Sequence, residues 1–240
     1  MTSHHEGPIG VIMLDTAFPR PPGDVGNPAT FGGRVLYEIV DGATASRVIY
    51  GAPGDPELLE GFLAARDRLV ARGALAITTS CGVLAGHQTA LQTGCAVPVF
   101  ASALIRIPKL LEQGHRIGLM AMDSKSIGPA LLASVGAPAG TPVAGLENGA
   151  EIYAVLRRNS ADDQLDPVRA EADVISAGQS LLAEAPDLTC IVLECANLPP
   201  YREALSRAVG LPVHDILTLI ATETGISIPF AGPVASPRPT

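Results

Sequence analysis

Short apolar runs alternate with longer segments of helical periodicity along most of the chain. The runs at 9–14 (IGVIML), 74–80 and 116–122 are predominantly apolar, which is typical of strands buried on both faces of a parallel sheet. Helices follow the strands, and those at Asp55-Pro56 and Asp166-Pro167 begin with a capping carboxylate and a first-turn proline. This alternation predicts an α/β fold. Further strands are predicted at 47–50, 97–101, 141–146, 188–195 and 211–214.

The two halves of the chain carry the same landmarks in the same order. An Ile-Gly pair opens the first strand of each half, and each half has one cysteine at the end of a predicted strand. A distance of 17 residues separates Cys81 from Pro98, and the same distance separates Cys195 from Pro212. The repeat predicts two Rossmann-like lobes with parallel sheets, related by a pseudo-twofold axis, with the active site in the cleft between them.

The four cysteines divide into two pairs. They are too few for a disulfide scaffold and form no CxxC motif, so a zinc knuckle is not expected. Cys95 lies in a turn and Cys190 within a strand, where packing is the expected role. Cys81 and Cys195 instead lie at strand ends beside a predicted helix start, where the dipole and unpaired N–H groups favour a thiolate and bind carboxylates. Facing each other, they predict a two-sided acid and base.

Other residues near these strand ends are candidate substrate-binding groups. Hydroxyls before the first cysteine and backbone N–H groups after both cysteines are expected to hold a carboxylate. For the hydroxyls, the alternative is that they cap the following helix. The proline-rich segment 19–28 is predicted to be a long loop that contacts ligand. The candidates are Asp15, Asn27, Thr79, Ser80, Gly82, Val83, Ala196, Asn197 and His214.

Composition narrows the possible partners. The chain has 240 residues with a net charge of −8, and it is 47% hydrophobic and 17% charged. An acidic chain is a poor match for nucleic acid or an anionic membrane, and no apolar run approaches the roughly 18 residues that a membrane span needs. No secretory pattern opens the sequence. We therefore expect a cytoplasmic protein that acts on a small-molecule carboxylate without a metal or cofactor.

The chain resembles the cofactor-independent aspartate/glutamate racemase superfamily, which includes hydantoin racemases, maleate isomerases and arylmalonate decarboxylases. The resemblance rests on IGVIMLD at 9–15, TTSCGVL at 78–84 and LECANLPPY at 193–201. It implies two cysteines acting as acid and base, here Cys81 and Cys195, with no cofactor, and the family analogy favours a homodimer.

The same resemblance implies how the chain divides into lobes and what it does. Lobe one is expected at 1–102 and 211–240, and lobe two at 103–210. The residues after the cysteines, Gly82-Val83 and Ala196-Asn197, depart from the Asn-Thr and Thr of typical amino-acid racemases. The leading expectation is a racemase or epimerase of a small carboxylate, hence an isomerase. The alternatives are a cysteine-dependent isomerase or decarboxylase of a small dicarboxylate, and a non-catalytic small-molecule binding protein.

Overall fold

Two four-stranded parallel sheets form the framework of the protein. A computed structural model describes residues 7–51 and 55–232. The first sheet has the order β2-β1-β3-β4 and the second β6-β5-β7-β8, so both halves share one topology. The strands are β1 Ile9–Leu14, β2 Val35–Val40, β3 Ala76–Thr79, β4 Val99–Phe100, β5 Ile117–Ala121, β6 Val143–Gly145, β7 Cys190–Leu193 and β8 Val213–His214.

Helices cover both sheets, which confirms the predicted α/β class. They are α1 Ala45–Tyr50, α2 Pro56–Ala71, α3 Gln88–Gln92, α4 Ile107–Glu112, α5 Pro129–Ser134, α6 Ile152–Arg158, α7 Pro167–Glu184, α8 Arg202–Val209 and α9 Ile216–Thr224. Short 3-10 helices lie at Pro28–Phe31, Gly82–His87, Ala103–Arg106, Ser124–Ser126 and Pro199–Tyr201. None of the helices in the described ranges is long and apolar enough to cross a membrane.

The internal repeat is visible in how the long helices pack on the central strands. A Cβ at Gly10 would lie 3.1 Å from Leu69 of α2, and a Cβ at Gly118 would lie 3.0 Å from Leu181 of α7. The glycines therefore let each helix approach its sheet closely. This packing explains why an Ile-Gly pair opens the central strand of both halves.

The predicted strand at 47–50 is wrong, because this segment is helix α1. The Thr44 side chain caps the helix by accepting the Arg47 N–H at 3.3 Å. The second strand of the first sheet is instead β2, which pairs with β1 at the sheet edge and is only partly buried. An isolated RVIY run resembles a buried strand, since apolar runs this short do not separate helix from strand.

The prediction that lobe one resumes at residue 211 is wrong for β8, the strand that follows this boundary. β8 pairs with β7 in the second sheet, and the Ile191 N–H donates to the Pro212 carbonyl at 3.0 Å. The chain returns to the first lobe only with α9, which packs against β4 and against the 3-10 helix at 103–106. Buried apolar side chains from both lobes and from α9 form one continuous cluster, so the lobes share an apolar interface.

Candidate active site

A cavity of about 360 Å³ lies between the lobes, next to the residues that follow β1, β3, β5 and β7. Parallel sheets bring the carboxyl ends of their strands to one edge, and the two edges face each other here. Both sequence-predicted cysteines line this cavity. The central lining residues are Ser80, Cys81 and Gly82 of the first lobe and Glu194, Cys195 and Asn197 of the second.

The two cysteines have matching backbone surroundings. The Cys81 carbonyl accepts the Leu84 N–H at 3.2 Å, and the Cys195 carbonyl accepts the Leu198 N–H at 3.1 Å. In each turn the N–H two residues after the cysteine donates to the cysteine sulfur. Of the four N–H groups expected to hold a carboxylate, those of Val83 and Asn197 therefore serve the thiols.

Gly82 is where the two lobes touch inside the cleft. A Cβ at this position would lie 2.0 Å from the Glu194 carbonyl oxygen and 2.5 Å from its Oε1. Only glycine fits here without separating the lobes. The contact brings the Glu194 carboxyl beside the Cys81 turn, where burial raises the pKa of Glu194 to about 8. Glu194 is therefore neutral over most of the range below pH 8.

Burial decides the protonation of both thiols. It raises the pKa of Cys81 to about 12, and the charge of Glu194 adds to this effect, while the Val83 N–H opposes it. The pKa of Cys195 is also raised well above its usual value, first by burial and second by the charge of Glu194. The expectation that the strand-end position favours a thiolate is wrong for these surroundings, because one N–H donor does not offset desolvation.

A chain of polar contacts connects Cys195 to the loop after β1. The Cys195 thiol donates to Asn197 Oδ1 at 3.3 Å, and Asn197 Nδ2 donates to Asp24 Oδ2 at 2.7 Å. Arg20 forms an ion pair with the buried Asp24 at 2.9 Å and donates to Thr16 at 2.7 Å. The amide of Asn197 is therefore fixed with its oxygen toward the sulfur. Arg20 and Thr16 line the cavity, so the proline-rich loop does reach the cleft.

Six of the eleven predicted site residues line the cavity, namely Ser80, Cys81, Gly82, Val83, Cys195 and Asn197. Thr79 and Ala196 are buried behind it. The Thr79 hydroxyl donates to the Ala101 carbonyl at 2.8 Å, and the Ala196 carbonyl accepts the Val25 N–H at 3.4 Å. These bonds tie the strand end and the loop to their neighbours.

The other three predicted residues also lie outside the cavity lining. Asp15 is exposed. Asn27 caps the 3-10 helix at 28–31 and donates to the Arg20 carbonyl at 2.7 Å. His214 is buried on β8, where burial, followed by the charges led by Arg106, lowers its pKa to about 4. Neither ring nitrogen of His214 has a hydrogen-bond partner among the described residues.

A second group of cavity residues escaped the sequence reasoning. The Tyr50 hydroxyl, on α1 of the first lobe, donates to Asp123 Oδ2 in the second lobe, and the Tyr153 hydroxyl approaches the same oxygen at 3.4 Å. The internal repeat in the sequence does indicate one of these residues, Asp123. IGLMAMD at 117–123 aligns with IGVIMLD at 9–15, so Asp123 is the counterpart of Asp15.

The fold is that of racemase-like proteins. No protein-family model matches the chain. The allantoin racemase from Klebsiella pneumoniae superposes with a TM-score of 0.56 and 14% identity, covering 96% of this chain and 95% of that one. A mutant of arylmalonate decarboxylase in a sulfate-associated form has a TM-score of 0.56 and 16% identity, covering 86% and 87% of the two chains. These likenesses confirm the fold that the sequence resemblance implied.

Sequence relatives carry the name of a different activity. Dimethylsulfoniopropionate lyase 5 of Emiliania huxleyi (strain CCMP1516) is 28% identical over 224 residues, which is 88% of this chain and 44% of the relative. A dimethylsulfoniopropionate lyase of Durusdinium sp. clade D is 28% identical over 220 residues, which is 87% of this chain and 71% of the relative. The chain therefore spans less than half the length of the first relative.

Proposed function

We propose that the chain is a cofactor-independent lyase that cleaves dimethylsulfoniopropionate. The observation that carries the proposal is the presence of two thiols in one interlobe cleft, in a chain whose sequence relatives bear the name of this lyase. A thiolate in such a cleft is suited to removing a proton from the carbon next to a carboxylate. The coarser part of the proposal, enzymatic action on a small carboxylate, agrees with the expectation from the sequence.

The reaction balances with one base. A thiolate takes a proton from the carbon next to the carboxylate, and the C–H electron pair becomes the C=C bond of acrylate. The bond from the neighbouring carbon to sulfur breaks, and the sulfonium leaves with that bonding pair as neutral dimethyl sulfide. The proton then passes from the thiol to solvent. A neutral leaving group needs no acid, so the reaction requires only one of the two thiols.

The surroundings of the thiols favour Cys81 as the base. The Cys195 S–H donates to Asn197 Oδ1, and the bond from Asn197 Nδ2 to Asp24 prevents the amide from turning its nitrogen toward the sulfur. A thiolate at Cys195 would face that carbonyl oxygen, so this thiol is held in its protonated form. Among the described residues the Cys81 thiol donates to no such acceptor, and the Val83 N–H lowers the pKa of this thiol.

The charge of the substrate favours the thiolate that burial disfavours. A positive charge placed near a thiol lowers its pKa, so a bound sulfonium would offset the desolvation that keeps Cys81 neutral. The Ser80 oxygen accepts the Leu14 N–H at 2.9 Å, which leaves its hydroxyl hydrogen for the substrate carboxylate. The Gly82 N–H at the cavity wall is a second donor for the charge that develops on that carboxylate.

The direct test is incubation of the full chain with dimethylsulfoniopropionate. We expect dimethyl sulfide in the headspace and acrylate in solution in equal amounts, without added metal or cofactor. Release of neither product at millimolar substrate and micromolar protein would refute the proposal. Formation of 3-hydroxypropionate in place of acrylate would also refute it, because that product requires attack by water rather than elimination.

Racemisation of a small carboxylate is the second candidate. The observation that favours it is the matched second thiol, since a one-base elimination gives no reason for Cys195 to have the same turn and N–H donor as Cys81. Inversion needs an acid and a base on opposite faces, and elimination does not. Incubation of amino-acid enantiomers in deuterated water distinguishes racemisation from elimination. Racemisation predicts deuterium at the α-carbon of the inverted product, and it predicts that either cysteine variant no longer incorporates this deuterium.

A further inference from the structure

The wall formed by Tyr50, Asp123 and Tyr153 has no role in the chemistry described so far. The three side chains line the same cavity as the thiols and come from both lobes, since Tyr50 lies on α1 and Tyr153 on α6. Both tyrosine hydroxyls converge on one oxygen of Asp123. We call this group the aromatic wall. It combines two electron-rich rings with a carboxylate, which is a combination that suits an organic cation.

Hydrogen bonds are the main stabilisation of the Asp123 charge, and the charge of Lys125 contributes a smaller part. Its Oδ1 accepts the Lys125 backbone N–H at 3.0 Å, and its Oδ2 accepts the tyrosine hydroxyls. Within 7–51 and 55–232, no salt bridge to Asp123 is formed. Burial raises the pKa of Asp123, but the hydrogen bonds led by that of Tyr50 outweigh burial and lower it. In the described part of the chain, the cleft therefore contains a carboxylate whose pKa is lowered although no side chain forms a salt bridge with it.

One ring of the wall already contacts a cation. The guanidinium carbon of Arg157 lies 5.8 Å from the centre of the Tyr153 ring, within the usual range of a cation–π contact. Arg157 is exposed at the cavity edge, so its charge is largely solvated. A second cation on this wall would meet an attractive carboxylate and ring on one side and the repulsion of Arg157 on the other.

We propose that the aromatic wall is the subsite for the dimethylsulfonium head, and that Asp123 and Tyr153 set the preference of the cleft for a cationic over a neutral head group. This inference rests on the proposed function for the identity of the ligand. The wall and the thiols line one cavity. In the proposed arrangement, the acidic carbon of the substrate lies at Cys81, and the sulfonium, which is bonded to the next carbon, lies at the wall. The sulfonium carries no N–H or O–H donor, so rings and a carboxylate can recognise it.

The test compares two ligands of nearly the same shape. Dimethylsulfoniopropionate and 4-methylpentanoate differ in a positively charged sulfur against a neutral carbon at the branch. Binding of both is measured by calorimetry in the Cys81→Ser background, where the proposed base is absent and turnover does not interfere. We expect the cationic ligand to bind more tightly, by roughly 5- to 30-fold, as cation–π and charge contacts predict.

Four substitutions then locate the preference. Asp123→Asn and Tyr153→Leu should each weaken binding of the sulfonium ligand by roughly 5- to 30-fold. Neither substitution should change binding of 4-methylpentanoate by more than about twofold, because the branched end of this ligand is uncharged. Tyr153→Phe is the matched control, since it keeps the ring, and it should retain most of the preference. Arg157→Gln should act in the opposite direction and strengthen binding of the sulfonium ligand alone.

The outcomes separate the subsite from the reaction. If the unmodified chain releases dimethyl sulfide but the two ligands bind equally, or Asp123→Asn weakens both alike, the subsite is refuted and the lyase stands. If the unmodified chain releases no dimethyl sulfide but binds the cationic ligand preferentially through Asp123 and Tyr153, the lyase is refuted and the subsite stands. If the sulfonium ligand neither binds nor is cleaved, both are refuted.

Discussion

Glu194 lies at the contact between the lobes with its carboxyl buried beside both thiols, and Glu194→Gln isolates the free energy of its charge. Burial raises its pKa from 4.5 to about 8. Because the folded-state pKa lies above the unfolded value, the stabilisation from the neutral carboxyl is complete below about pH 4.5 and is lost as the pH rises toward 8. Glutamine has nearly the same shape and no charge to bury, so the variant lacks this loss.

The size of the effect follows from the pKa shift. Each pKa unit corresponds to about 1.4 kcal/mol, so linkage predicts that the Glu194 contribution to the free energy of unfolding falls by about 2–3 kcal/mol between pH 5 and pH 7. Other groups also titrate in this range, such as Asp215, whose pKa burial raises to about 6. Their contributions cancel when the free energies of unfolding of the two proteins are subtracted at each pH.

Urea unfolding followed by far-ultraviolet circular dichroism measures this difference, since the chain has no tryptophan. We expect the advantage of Glu194→Gln over the unmodified chain in the free energy of unfolding to grow by about 2–3 kcal/mol from pH 5 to pH 7. Glu60→Gln on the exposed face of α2 is the control, and it should change the free energy of unfolding by less than about 0.5 kcal/mol. An advantage that stays constant with pH would show that Glu194 is not held neutral by burial.

Three further predictions concern the thiol, the lobe contact and a helix cap. The rate at which iodoacetamide alkylates Cys81, followed by mass spectrometry, should rise about tenfold per pH unit from pH 7, because the pKa of this thiol is raised. Above pH 8 the rise should become shallower, because Glu194 ionises there and its charge opposes the thiolate. Glu194→Gln should abolish this change of slope. Gly82→Ala should lower the free energy of unfolding by about 1–3 kcal/mol and abolish activity, because the new Cβ overlaps the Glu194 carbonyl. Gly86→Ala is the control and should retain the activity, since a Cβ there would lie 3.9 Å from its nearest neighbour. Asp166→Ala removes a carboxylate that accepts the Val168 N–H at 2.9 Å, and urea unfolding should show a loss of about 1 kcal/mol; a change below about 0.3 kcal/mol would contradict the cap assignment.

The architecture was predictable because duplication makes local signals appear twice. The Asp-Pro starts of α2 and α7 are both confirmed as N-caps, and the Ile-Gly pairs both lie where a helix packs closely on a strand. The half-buried edge strand β2 could not be recognised by the same reasoning. Its sequence VLYEIV contains polar and exposed positions, and the position of its neighbour β1 is not encoded locally.

The thiols were predictable, and their surroundings were not. Strand-end position indicates where Cys81 and Cys195 lie, but their pKa depends on what the opposite lobe places beside them. Glu194 reaches Cys81 through the contact at Gly82, which is remote in sequence. The sequence pattern places Tyr50 in a predicted strand. Its contact with Asp123 spans 73 residues, so no pattern in either half indicates the pair.

The measurement that tests the central claim most directly is the rate of dimethyl sulfide release by three single cysteine variants. We expect Cys81→Ser to lower kcat by at least about a hundredfold, since it removes the proposed general base. Cys195→Ser should retain a larger part of the activity, and Cys95→Ser, outside the cavity lining, should match the unmodified chain. Full activity in Cys81→Ser would contradict the assignment of the base. Full activity in both cleft variants would contradict the claim that the chemistry takes place at the thiols.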